Sequence, residues 1–164
     1  QVVAIDAYRP PYIPWHLTTR EFFDEVRQHL SEDGVLVMNV GSDPNDQRLI
    51  EGLVGTLKTV YASVYMMEVP GTFNYMLYAT VQPTQAEDLY LNFVELSAQE
   101  AHPLLITALR RFIENQRLAP VTRVLLNGDT APLPVFTDDR APVEWITNRM
   151  VLQVVFFEDS ELIR

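Results

Sequence analysis

A carboxylate at the end of an apolar run is the first feature of this sequence that can do chemistry. Gln1 to Ile5 is short, apolar and β-branched at Val2, Val3 and Ile5, and it ends at Asp6 before a Tyr-Arg-Pro-Pro turn. Such a run reads as a buried parallel strand whose carboxyl end delivers an acid to a loop. Behind that acid come Tyr8, Tyr12 and Trp15, aromatics able to wall a pocket, and His16, which precedes a helix start. A second acidic pair, Asp138-Asp139, stands beside Pro142 at the entry to a late helix, where it can attract a cation, close a pocket or serve as an N-terminal cap.

Several chemistries are excluded. The chain has no cysteine, so disulfides, thiol nucleophiles and iron–sulfur clusters are ruled out. Its three histidines, His16, His29 and His102, lie far apart without metal-binding spacing, and no metal site is expected. Twenty-two acidic residues against 12 basic ones give a net charge of −10, a surface that repels nucleic-acid phosphates. No apolar run approaches the roughly 20 residues needed to span a bilayer, and no basic leader opens the chain. A cytoplasmic location is therefore expected for these residues. At 164 residues and 48% hydrophobic content, the chain suits one globular domain.

The positioning elements follow the order of an α/β fold. Thr18-Thr19 before Glu21 starts a helix over Leu17 to Leu30, with Phe22, Phe23, Val26 and Leu30 at helical spacing and Gly34 suited to its C-terminal cap. Val35 to Val40 is a second strand. Asp43-Pro44-Asn45-Asp46 opens a second helix with Leu49, Ile50, Leu53, Val54, Leu57 and Val60 on its apolar face. Ser63 to Val69 and Asn74 to Gln82 are further strands, split only by a turn at Pro70-Gly71-Thr72. The first three strands require parallel crossovers, whereas the last pair leaves no room for one and must run antiparallel. Gln85 to Gln99 and Ala101 to Gln116 read as helices, Pro120 to Phe136 as irregular, and Val143 to Gln153 as a final helix. A sheet with one reversed strand matches a Rossmann-like, methyltransferase-type fold, mostly parallel. The organisation expected is sheet and crossover helices in 1–82 and a helical extension in 83–164. A first strand of such central character is expected of a sequence that starts inside a larger domain, with an N-terminal half upstream. Its unpaired edge invites self-association, so a homo-oligomer is expected.

The run Asp6, Tyr8, Ile13-Pro14, His16-Leu17, Thr19 and Glu21-Phe22 resembles spermidine synthase-like proteins, the polyamine aminopropyltransferase family. Asp33-Gly34-Val35-Leu36-Val37 and Thr137-Asp138-Asp139-Arg140-Ala141-Pro142-Val143-Glu144 are similar to the same group. The resemblance covers most of this chain but only the C-terminal portion of the family domain. It implies transfer of an aminopropyl group from decarboxylated S-adenosylmethionine, a donor substrate rather than a bound cofactor, to a polyamine amine. Asp6 matches the position of the base, and Tyr8, Tyr12, Trp15, His16, Asp138 and Asp139 become candidates for acceptor binding. An amine is protonated at neutral pH, and a carboxylate within hydrogen-bond reach can take the proton. Two departures stand out. The family's second acid is missing, with Arg9 in that stretch, and the glycine-rich donor loop does not occur in these residues, so donor-binding residues stay unassigned and the piece alone is expected to be inactive. Some relatives carry membrane helices before this domain. The alternatives are an S-adenosylmethionine-dependent methyltransferase and a degenerate homologue acting as an interaction module.

Overall fold

A computed structural model describes residues 1–7, 13–41, 43, 46–69, 71–99, 101–114, 118–120 and 132–153. Among these residues five strands form one sheet: β1 (Val2–Ile5), β2 (Val35–Gly41), β3 (Ser63–Glu68), β4 (Asn74–Thr80) and a short β5 (Leu118–Pro120). The order across the sheet is β1-β2-β4-β3-β5. β1 and β2 run parallel, while β4 lies antiparallel to both β2 and β3. Strands β1, β2 and β3 therefore share one direction, and the reversed β4 is inserted between β2 and β3, the Rossmann-like arrangement expected from the turn at Gly71. That residue sits at φ 74°, a conformation open to glycine at little cost. β5 adds a second reversed strand, antiparallel to β3, within the stretch read from sequence as irregular.

Helix α1 (Arg20–Gln28) joins β1 to β2 and α2 (Arg48–Lys58) joins β2 to β3. Thr19 caps α1, its side chain accepting from Phe22 N–H at 3.3 Å. A single 3₁₀ turn, Trp15–Leu17, leads into it. The helix ends earlier than its apolar spacing suggests, capped at His29. Gly34 is thus not the C-terminal cap. It closes a separate turn, donating to the Ser31 carbonyl at 2.8 Å, and a Cβ there would lie 2.7 Å from that same oxygen. Helix α2 likewise opens later than the Asp43–Asp46 signal suggests, at Arg48, and Pro44 of that signal lies outside the described residues.

The core lies between the helices and one face of the sheet. Phe23, Leu36, Met38, Val40, Leu49, Ile50, Leu53, Val54, Leu57 and Leu77 are almost wholly buried there. Helices α3 (Asp88–Ala98) and α4 (Pro103–Glu114) follow β4, and α5 (Val143–Gln153) packs beside α2. The stretch before α5 enters the core: Phe136, Val143 and Ile146 belong to the same buried cluster. Glycines on α2 admit it. A Cβ at Gly52 would meet the Phe136 ring at 2.0 Å, and one at Gly55 would meet the Pro134 carbonyl oxygen at 2.1 Å. Thr56, fully buried, donates to the Gly52 carbonyl at 2.6 Å and accepts from Phe136 N–H at 2.8 Å. Thr56→Val keeps the shape and strands that N–H. Unfolding by denaturant should show a loss of about 1–3 kcal/mol, while Thr56→Ser stays near wild type.

Candidate active site at the carboxyl ends of the parallel strands

Alternation along each strand sends successive side chains to opposite faces. Val3 and Ile5 turn to the helix-covered core, so Ala4 and Asp6 take the other face. On β2, Leu36, Met38 and Val40 enter the core and Val37, Asn39 and Gly41 do not. The register then builds rows across this second face. Ala4, Val37, Tyr78 and Tyr65 form one. Asn39, Met76 and Met67 form the next, nearer the carboxyl ends. Asp6 extends that row, because Ile5 pairs with Met38 and Asn39 Nδ2 donates to Asp6 Oδ1 at 3.1 Å.

Asp6 is exposed at the end of β1, in the place where open α/β sheets bind their ligands. Its contact with Asn39 has a chemical consequence. A carboxylate only accepts, so the amide must present its NH₂ to Asp6 and turn its carbonyl away. That carbonyl oxygen, Asn39 Oδ1, is buried and has no hydrogen-bond partner among the described residues. The exposed Asp6 carboxylate, held by an amide N–H and leaving its other oxygen open, is suited to an ammonium or amine. Sequence reasoning missed Asn39. Its signal was a single amide within the otherwise apolar Val35-Leu36-Val37-Met38-Asn39-Val40, on a strand expected to lie next to the one carrying Asp6.

The other candidates are distributed differently. Tyr8 and Tyr12 lie outside the described residues, as does Arg9. Trp15 and His16 sit in the 3₁₀ turn between β1 and α1, their rings edge to face at 5.8 Å. The Trp15 carbonyl accepts from Thr18 Oγ1 at 2.5 Å, so the turn is held by its own residues. Asp138 and Asp139 occupy the corners of a tight turn closed by Thr137 and Arg140, with reciprocal backbone bonds of 3.2 and 2.9 Å. Asp138 N–H donates to Glu21 Oε2 at 3.1 Å, which fastens the turn to the start of α1. Glu21's own backbone N–H, followed by that of Asp138 and by Arg20, holds the Glu21 carboxyl below its usual range. Among the described residues, no hydrogen bond or ion pair joins Asp138 or Asp139 to Asp6.

A second polar cluster stands at the start of α2. Arg48 is paired with the buried Asp46 and lies over the Trp145 ring of α5, 4.7 Å from its centre. The Arg48 side chain, bonded to Asp46, holds that carboxyl below the usual range against the opposing effect of burial. A carboxyl lowered on folding stabilises the protein above its unfolded value and stops doing so as pH falls through the folded one. Acid titration of stability should therefore steepen below the ordinary value of 3.8, and Asp46→Asn should flatten that limb and lower the neutral plateau by the stability that the limb carried. No helix among the described residues is long and apolar enough to cross a membrane.

No protein-family profile matches the chain. It is 28% identical over 162 residues to a probable polyamine aminopropyl transferase of Bifidobacterium longum (strain NCC 2705), a match covering 94% of this chain and 35% of that protein. It is 38% identical over 68 residues to a polyamine aminopropyltransferase of Vibrio vulnificus (strain CMCP6), covering 42% of this chain and 22% of the other. The chain therefore spans about a third or less of the curated relatives it matches. Among solved structures, human methyltransferase-like protein 13 in complex with SAH superposes with a TM-score of 0.50 at 21% identity, covering 76% of this chain and 53% of that one. A probable spermidine synthase from Corynebacterium glutamicum ATCC 13032 gives 0.48 at 22% identity, over 58% and 37%. The fold is Rossmann-like.

Proposed function

We propose, from the premise that this chain is spermidine synthase-like, that it carries the amine-activating part of an aminopropyltransferase. One observation supports this reading above the others: an exposed carboxylate, Asp6, at the carboxyl end of a parallel strand, held there by the Asn39 amide. In the reaction proposed, Asp6 accepts a proton from the acceptor's ammonium. The freed nitrogen lone pair attacks the propyl carbon bonded to the donor's sulfonium. A C–N bond forms, the C–S bond breaks, and its electron pair stays on sulfur, leaving a neutral thioether. The proton lost by nitrogen ends on Asp6 or passes to solvent. Asn39 holds Asp6 in place through its Nδ2.

The names of the curated relatives support a polyamine as acceptor, and decarboxylated S-adenosylmethionine is the donor proposed with it. The test supplies that donor and putrescine to the full-length protein and follows methylthioadenosine release. Release that depends on both substrates supports the assignment. Methyl transfer from ordinary S-adenosylmethionine, with no methylthioadenosine, replaces it with a methyltransferase.

A further inference from the structure

Helices α3 and α4, joined through residues 99–102 as an αα-hairpin, pack on each other. Among the described residues no other helix or strand packs on either to a comparable extent. Each helix carries two apolar stripes. On α3, Phe93 and Leu96 are half-buried, while Leu91 and Val94 stand exposed three positions apart. On α4, Ile106 and Leu109 are half-buried, while Leu104 and Leu105 are exposed. The exposure is large, 62% at Leu91 and 73% at Leu104. A surface helix buries one apolar stripe against one neighbour; here a second stripe on each helix faces water. Opposite charges flank these stripes. Glu87 and Asp88 stand at the start of α3, whose residues 88–98 contain no base. Arg110 and Arg111 stand near the end of α4, exposed and in no ion pair among the described residues.

We infer that this hairpin docks on the same hairpin of a second copy of the chain, with α3 of each copy lying antiparallel along α4 of the other. The patch is self-complementary, as a two-fold contact requires. In that pairing the exposed stripe of α3 covers the exposed stripe of the partner's α4, and burial of the leucines and valine supplies the attraction. The start of α3 meets the end of the partner's α4, so Glu87 and Asp88 face two arginines, and symmetry repeats the contact. With a net charge of −10, copies of the chain repel one another over most of their surface. Opposite charges on the two helices therefore decide where copies meet and in which direction.

Light scattering of the full-length protein on a sizing column, over a concentration series, tests the inference. Leu91→Lys with Leu104→Lys should raise the dissociation constant about a hundredfold or more. Two charge-swapped forms then distinguish contact between copies from contact within one. The first carries Glu87→Lys and Asp88→Lys, the second Arg110→Glu and Arg111→Glu. Each alone should dissociate about tenfold or more readily than wild type, because like charges then face each other. Mixed, they should form a dimer with one chain of each kind, since both contacts become complementary; native mass spectrometry of differently tagged chains identifies it. The substituted side chains lie outside the packed core, so the variants should fold, which circular dichroism checks. A wild-type protein that is monomeric at every concentration overturns the inference. So does association that survives Leu91→Lys with Leu104→Lys, which places the contact elsewhere, and so do charge-swapped forms that fail to pair with each other.

Discussion

Asp6→Asn is expected to lower the transfer rate of the full-length protein by about 10²–10⁴-fold. The change is nearly isosteric. An asparagine oxygen can still accept the bond from Asn39 Nδ2, now 3.1 Å long, so the end of β1 keeps its geometry. What disappears is the capacity to take a proton and the negative charge that holds an ammonium. Because Asp6 is exposed and lies outside the packed core, stability should move by no more than about 0.5 kcal/mol. The informative readout is methylthioadenosine release by wild type and variant with both substrates saturating, which separates a slower chemical step from weaker binding. A loss smaller than about tenfold would show that another group takes the proton.

Phe136→Ala is expected to cost about 3–5 kcal/mol, the largest stability effect of any substitution considered. Only 3% of Phe136 is exposed, and its ring fills the notch that Gly52 leaves on α2. For a chain of 164 residues this corresponds to a fall in melting temperature of about 6–20 °C. The partner substitution separates packing from general damage. In the wild type, Gly52→Ala gains about 1 kcal/mol of helix propensity. It also forces its methyl against a ring 2.0 Å away, on a segment tethered by Thr56 and by Arg20 N–H at 2.9 Å. The clash prevails, and the variant should be destabilised by about 1–3 kcal/mol. Once Phe136 is alanine, the same Gly52→Ala should become neutral or stabilising. Additive losses in the double variant would show that the two residues do not share this contact.

Much of the layout was legible in residue order. The apolar face Leu49, Ile50, Leu53, Val54 and Leu57 is buried as its spacing required. The antiparallel pairing of Ser63–Glu68 with Asn74–Thr80 followed from a gap too short for a crossover. The final helix begins at Val143, directly after Pro142. Element ends were less legible. Gly34 reads as a helix cap because glycine favours such positions, yet α1 has already ended at Gln28 and the glycine is needed to avoid Leu30 and Ser31. The packing of Phe136 was equally hidden, since Gly52 and Gly55 inside a helix signal only weak propensity until the ring and carbonyl that occupy them are seen.

The candidate site divides along the same line. Residue types and order were enough to mark Asp6, because a β-branched run ending in an acid before prolines is a local property of the chain. Asn39 stands thirty-three positions later and became part of the site only through the parallel register that sets Ile5 against Met38. The row from Asp6 through Asn39 to Met76 and Met67 is likewise a product of strand order, with β4 inserted between β2 and β3. Local periodicity determines which face a side chain takes. Which side chains become neighbours across that face depends on how distant strands align, and that alignment is settled by burial summed over the whole sheet.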